Sequence, residues 1–348
     1  MFQRIVVALD GSTRAEQVLR VAARLAQFSG GSVILLRVVT ATSHTYSEHV
    51  KTPAGTTVEV PPLVEQDSID SEYEEAKSFL EITAKADILA SIHVETKVLF
   101  GAAASEILSA TQSLQADIII MCSHGYTGLK RWRLGSVAQK VARHSPIPVL
   151  VLHEDAGLLT NLHPEGNRPV RILVALDGSS LAEEALLPAA QLSAALSAPA
   201  LGSLHLARIL PLPTGHEYGQ RDSLTIAREK ALTEVRAYLS LVEQKLRAGE
   251  LAHLNLLVTS SLAVNTDIAN MLLRKAEIGE ERDRLEGFQG CDAIAIATHG
   301  RGSFQRILLG SVTERILSAT RLPLLIVRPQ ERETPSKKSR KAAETALS

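Results

Sequence analysis

Apolar positions along the chain follow two alternating rhythms. Short unbroken runs such as "IVVAL" at 5–9, "DIIIMC" at 117–122 and "DAIAIA" at 292–297 have the length and composition of parallel strands buried on both faces. Between them apolar residues recur at helical spacing, as at Val18, Ala22 and Leu25 ahead of Gly30-Gly31. The pattern predicts a strand from about residue 3, a helix to Gly30 and a second strand, "SVILLRVV", at 32–39. A Pro/Gly/Thr-rich stretch over 40–66 leads to a helix near 70–87, a strand near 93–99 and a helix near 104–114. A strand over 117–122, a helix over 135–144 and a strand over 147–152 complete the unit.

The unit occurs twice. "RIVVALDGST" at 4–13 returns as "RILVALDGSS" at 171–180, and "GSVILLRVV" at 31–39 as "GSLHLARIL" at 202–210. "SPIPVLVL" at 145–152 is answered by "TRLPLLIV" at 320–327. Thr13 with Glu16, and Ser180 with Glu183, give the first helix of each copy a capping-box spacing. The period is too long for a solenoid and fits two globular domains of ordinary size: 1–153, a linker over 154–169, 170–329, and a disordered polar tail over 330–348. Strands alternating with helices predict an α/β class, with two tandem open, mostly parallel five-stranded sheets covered by helices on both faces. The second copy differs in a long helix over about 222–248 and in a charged insertion, "RKAEIGEERDRLEGFQG" at 274–290, which predicts an exposed helical extension or a docking element.

Composition narrows the function classes. The chain of 348 residues is 45% hydrophobic and 22% charged with a net charge of −1, which suits a globular protein and offers no global positive field for nucleic acid. The one concentrated basic run, "SKKSRK" at 336–341, lies in the tail. Two cysteines, Cys122 and Cys291, supply neither a disulfide framework nor a four-thiolate zinc site and read as buried thiols. No signal peptide precedes the first strand and no apolar run reaches transmembrane length, so the expectation is a cytoplasmic protein that contacts no membrane.

The candidate chemistry lies at the carboxyl ends of strands, where open parallel sheets hold ligands. One segment is Asp10-Gly11-Ser12, repeated as Asp177-Gly178-Ser179. The other is His124-Gly125, nine residues, then Gly135-Ser136, repeated as His299-Gly300, nine residues, then Gly310-Ser311. Glycine permits close approach to the backbone, and a Gly-Ser pair opening a helix offers free N–H groups and a positive dipole end to a phosphate. An aspartate ending the first strand can accept from ribose hydroxyls or hold a metal. It also suits a plain helix cap. No P-loop pattern occurs, and Gln305 stands where a dinucleotide fingerprint needs glycine. His124 and His299 lack a second histidine or cysteine at ligand spacing, which favours loop ordering or a phosphate-side hydrogen bond over a metal. Lys130, Arg131 and Arg133 cluster in the first nine-residue gap, against Arg301 and Arg306 in the second. They read as a solvated face or as partners of a β- or γ-phosphate.

In these residues the chain resembles the universal stress protein family, whose nucleotide-binding members share glycine, two residues, glycine, nine residues, then glycine with serine or threonine. Here the motif reads Cys122-x-x-Gly125-x9-Gly135-Ser136 and Ala297-x-x-Gly300-x9-Gly310-Ser311, with a small residue replacing the first glycine in each copy. The resemblance covers roughly 1–153 and 170–328 and implies ATP or AMP in each domain, with Mg2+ held through Asp10 and Asp177 as a further candidate. It implies that Asp10 and Asp177 contact ribose or phosphate, and that Ala8, Val38, Ala175 and Ile209 line the adenine pocket. The same carry-over gives the phosphates to Gly125, Gly135, Ser136 and Val137, with His124 beside them, and to Gly300, Gly310, Ser311, Val312 and Thr313, with His299. Ala138 stands where the second copy has Thr313. Gly101 keeps a glycine after the third strand for which the second copy shows Ser260-Ser261, so the two sites are expected to differ. The resemblance also implies pairing of the two copies through their last strands, with a further homodimer open.

Three functions stay in view: a nucleotide-binding stress regulator, a slow ATPase or autophosphorylating protein with Ser136 or Ser311 as acceptor, and a dimerisation scaffold without nucleotide. Phosphoryl transfer needs a positioned base and metal ligands. Only Asp10 and Asp177 present themselves, so a binder is expected rather than an enzyme.

Overall fold

The structure, a computed structural model, describes residues 1–12, 15–40, 49–51, 57–59, 66–123, 134–153, 169–211, 221–279, 290–298 and 310–329. The first half runs β1 (Arg4–Leu9), α1 (Ala15–Ser29), β2 (Ser32–Val39), β3 (His49–Lys51), β4 (Thr57–Glu59), α2 (Gln66–Ala84), β5 (His93–Phe100), α3 (Ala103–Ser113), β6 (Ile118–Cys122), α4 (Ser136–His144) and β7 (Val149–Leu152). The second runs β8 (Arg171–Ala175), α5 (Ser180–Glu183), α6 (Leu186–Ser197), β9 (Ser203–Leu210), α7 (Arg221–Ala248), β10 (Leu257–Val264), α8 (Ile268–Ile278), β11 (Ala293–Ala297), α9 (Ser311–Ala319) and β12 (Leu324–Val327).

The expected α/β alternation is present, and the two five-stranded sheets join edge to edge through the last strand of each copy. The strand order is β10-β9-β8-β11-β12-β7-β6-β1-β2-β5 across ten strands. Within this sheet each pairing inside a half is parallel. The joint between halves is antiparallel, with Leu324 opposite Val151, Leu325 opposite Leu150 and Ile326 opposite Val149. Both joint strands are buried along their whole length. An apolar edge gains both ladder hydrogen bonds and burial by pairing, whereas the outer edges, β5 and β10, carry partly exposed residues.

Two cores cover the sheet. One lies under α1, α6 and α7 and is continuous across the halves, from Ile5 and Leu25 to Leu192 and Leu325. Arg24 Nη2 reinforces it by donating to the Ala198 carbonyl at 2.9 Å. The other lies under α3, α4, α8 and α9, around Ile107, Val141, Leu272 and Ile316. Close layer contact explains Gly31, where a β-carbon would stand 2.6 Å from the Gln3 carbonyl oxygen.

Two local readings change. The stretch 40–66 contains a small antiparallel ladder, β3 with β4, of "HVK" against "TVE". The insertion is not charged surface throughout. Arg274–Ile278 are the last turn of α8, where Ala276 is fully buried and Lys275 is 7% exposed. Lys275 Nζ donates to Ser261 Oγ at 3.2 Å. The spacing Ala269, Leu272, Ala276 carries the buried face past the point where the charged composition starts. The rest of the insertion, the linker and the tail, over 280–289, 154–168 and 330–348, lie outside the described residues.

Candidate nucleotide site at the strand ends

In each half the chain leaves the first strand toward one side (β2, β5; β9, β10) and returns on the other (β6, β7; β11, β12). The reversal opens a crevice at the carboxyl ends of β1 and β6, and of β8 and β11.

Each first strand ends in a tight Asp-Gly-Ser turn. Asp10 Oδ1 accepts from the Ser12 N–H at 3.1 Å. Asp177 Oδ1 accepts from the Ser179 N–H at 2.9 Å and from Ser179 Oγ at 2.6 Å. Gly11 and Gly178 have φ of +85° and +80°, the left-handed region that costs other residues about 1–2 kcal/mol. Ser179 Oγ accepts from the Ala182 N–H at 3.1 Å, so Ser179 and not Ser180 caps α5. The turn draws the helix start back by one residue, and Glu183 faces Lys245 at 3.5 Å instead of closing a capping box. The matching Thr13, and the Glu16 side chain, lie outside the described residues.

Sequence reading missed what lies beneath these turns. A β-carbon on Gly11 would stand 2.9 Å from Arg37 Cζ, and one on Gly178 2.4 Å from Arg208 Nη1. Each guanidinium also lies over an aromatic ring, Arg37 over Phe79 at 5.2 Å and Arg208 over Tyr238 at 5.0 Å. Arg37 further approaches Glu75 at 3.8 Å. Burial, followed by the Glu183 carboxylate, pushes the Tyr238 hydroxyl well above its ordinary range and keeps it protonated. The signal was in the repeat, where "LLRVV" and "LARIL" keep the arginine.

Across the crevice, Gly135 and Gly310 are the N-caps of α4 and α9, and among the described residues no side chain caps either helix. The Gly135 N–H donates to the Ser123 carbonyl at 2.7 Å and the Gly310 N–H to Thr298 at 2.9 Å, tying the helix start to the strand end. Ser136 and Ser311 are exposed, and Val137 and Val312 half-buried. Ala8, Val38 and Val137, like Ala175, Ile209 and Val312, pack on the core beneath α3, α4, α8 and α9. The residues expected to border an adenine and those expected to border phosphates therefore share one side of the sheet. Cys122 packs on the opposite core, so only its backbone borders the crevice. Cys122 and Cys291 are half-buried rather than fully buried. His124, Gly125, His299 and Gly300 lie outside the described residues, as do Lys130, Arg131, Arg133, Arg301 and Arg306. Among the described residues no group of three or more His, Cys, Asp or Glu is placed to hold a metal ion, and no helix is long and apolar enough to cross a membrane.

Among the described residues nothing requires glycine at 310. Its φ of −59° is open to any residue, and the nearest described atom to a β-carbon there would be the Thr298 carbonyl oxygen at 3.4 Å, an ordinary contact.

The halves differ at the third wall. Thr313 is 4% exposed and its Oγ1 donates to the Ala297 carbonyl at 3.0 Å, a bond Ala138 cannot make. Strand register shows that Asn265 follows β10 as Gly101 (φ +135°) follows β5. Ser260-Ser261 lie inside β10, opposite Leu206 and Ala207, which corrects their pairing with Gly101. Asp267 caps α8 by accepting from the Asn270 N–H at 3.0 Å, and Arg315 Nη2 donates to its other oxygen at 2.6 Å. The Arg315 hydrogen bond, then the Asn270 amide, hold this exposed carboxyl below its ordinary 3.8. Because folding lowers its pKa, the pair supports the fold above pH 3.8 and that support is lost as pH falls through the lowered value. An NMR titration of the Asp267 carboxyl is expected to give a midpoint below 3.8 that rises toward it in Arg315→Met. A midpoint indifferent to Arg315 would mean that the pair does not form in solution.

The model of the universal stress protein family matches residues 1–153 and again 170–328. A universal stress protein of Mycolicibacterium smegmatis is 24% identical over 334 residues, 94% of this chain and 97% of its own. Universal stress protein YxiE of Bacillus subtilis is 30% identical over 154 residues, 44% of this chain and 99% of its own. The crystal structure of a universal stress protein from Archaeoglobus fulgidus shares the fold, with a TM-score of 0.56 at 20% identity over 95% of this chain and 97% of that one. With two family matches that between them span both halves of the repeat and its strand-end crevices, the chain belongs to the universal stress protein family.

Proposed function

We propose that the protein is a nucleotide-binding stress regulator that takes an adenine nucleotide, ATP or AMP, in the crevice of each half. The observation that carries this reading is Gly310, a glycine that neither its backbone conformation nor packing against the described residues requires, at the N-terminus of α9, which no described side chain caps. Space left free at a helix N-terminus suits a phosphate, which the N–H groups and the dipole favour. The apolar wall at Ala175 and Ile209 suits a purine, and Asp177 beside the turn suits ribose hydroxyls or a phosphate-bound Mg2+. Gly135, Ala8, Val38 and Asp10 repeat the arrangement. The nucleotide supplies a reason for the crevice to order and close, and so shifts the population of a signalling state. Group transfer is not required of it. The joint of β7 with β12 does within one chain what two separate domains would do by dimerising, and the protein works in the cytoplasm.

The test begins with protein purified without added nucleotide, denatured, and its released small molecules identified by chromatography. The emptied protein is then titrated with Mg-ATP by calorimetry, alongside Gly135→Val and Gly310→Val. Wild type is expected to bind about two equivalents and each variant about one, since a branched side chain fills the phosphate's place. No released nucleotide and no heat at millimolar ATP would leave a dimerisation module instead.

A further inference from the structure

We propose that Arg37 and Arg208 are positioning residues of the two crevices: each guanidinium, held flat between the turn glycine and an aromatic ring of the long helix, sets the direction in which Asp10 or Asp177 points. The inference deepens the nucleotide reading and rests on it.

The geometry appears twice with different parts. The aromatic residue is Phe79 on α2 in one half and Tyr238 on the longer α7 in the other, yet the guanidinium lies 5.2 and 5.0 Å from the ring centroids. The arrangement is retained while residue identity and helix length change, as expected if the stack itself has a task. Side chains alternate along a strand, and Val38 and Ile209, next in sequence, pack on the crevice side. The arginines therefore sit on the opposite face and support the turn from beneath without touching a ligand.

The stack suits a planar cation against a glycine. A β-carbon on either turn glycine would fall within van der Waals radii of the guanidinium, and the positive φ disfavours one independently. A lysine could keep the charge but not the flat contact. In the second half the stack continues outward. Glu183 on α5 approaches Lys245 on α7 at 3.5 Å, and Arg208 beneath the turn lies over Tyr238 of the same helix at 5.0 Å. The turn and α5 are thus both linked to α7, so a ligand that draws on Asp177 also loads α7.

The test uses the full chain and Mg-ATP calorimetry. Arg37→Lys and Phe79→Leu are expected to weaken the first crevice about tenfold, and Arg208→Lys and Tyr238→Leu the second by about the same, each leaving the other crevice unchanged. Tyr238→Phe keeps the ring and is expected to keep wild-type affinity, which separates the stack from the hydroxyl. Amide exchange at Ser12 and Ser179 without nucleotide is expected to rise in the weakened variants by more than any change in the urea midpoint accounts for. Should an arginine variant fail to fold, the ring variants decide. Unchanged affinity and exchange in a protein that binds ATP would overturn the inference and leave the nucleotide reading standing. Loss in Tyr238→Phe equal to that in Tyr238→Leu would overturn the ring clamp. A wild type that takes no ATP would overturn the nucleotide reading, and the inference with it.

Discussion

Replacing Leu150 with aspartate is expected to leave no folded protein, although one side chain near the middle of the molecule is all that changes. Leu150 is fully buried in β7, opposite Leu325 of β12 and beside Ile120 of β6. Its side chain belongs to the core continuous through both halves. A carboxylate there has no partner, and an unpaired buried charge costs several kcal/mol against a total stability of about 5–15 kcal/mol. Leu150→Ala removes methylenes only and is expected to cost about 2–5 kcal/mol. Leu325→Ala should cost about as much, with the double variant non-additive because the two side chains are neighbours across the joint. Urea denaturation and gel filtration measure this. A soluble, folded Leu150→Asp chain with an unchanged midpoint would show that the antiparallel joint is not formed in solution.

The second large effect concerns two aspartates that take no part in the crevices. Asp117, just before β6, accepts from the Gln3 and Arg4 N–H groups through Oδ2 at 2.7 and 2.8 Å. Its own N–H donates to the Arg4 carbonyl at 2.8 Å. Asp292 repeats the clasp before β11, with Arg171 N–H donating to Oδ2 at 2.8 Å and its own N–H to the Arg171 carbonyl at 2.7 Å. Each fixes the register of a switch-point strand against the first strand of its half, and so the spacing of the crevice at the far end. Alanine at either position strands backbone donors, and hydrogen bonds to a charged group contribute about 1.5–3 kcal/mol each. Asp117→Ala and Asp292→Ala are therefore expected to lose about 2–3 kcal/mol each, with asparagine recovering part of it. A urea midpoint that does not move in either alanine variant would show that the clasp contributes nothing.

The sequence made most of the scaffold legible. Unbroken apolar runs mark strands covered on both faces, because in a parallel sheet neither face meets water. The tandem repeat is legible because each copy must meet the same turn and packing demands. Gly11 and Gly178 stand out for the same cause, since a positive φ leaves little choice of residue. Other features were hidden. Ser180 matched a capping spacing, but the hydrogen bonds of the preceding aspartate moved the cap to Ser179. Lys275 looked like surface because its neighbours in sequence are charged, and its burial follows from the face that α8 turns toward β10. Along the sequence Ser260-Ser261 take the place of Gly101, and only the strand register moves the counterpart to Asn265.

Patterns along a chain report forces between residues a few positions apart, namely strand pleat, helix periodicity, turn geometry and capping. These establish two α/β units with glycine-bearing turns at their strand ends. The residue register of the joint between β7 and β12, the clasp of Asp117 and Asp292, and the stacking of Arg37 and Arg208 on the Asp-Gly-Ser turns join residues far apart in the chain. Their energies come from burial and from hydrogen bonds made only after the strand order is set. That is why those features belong to the tertiary structure alone.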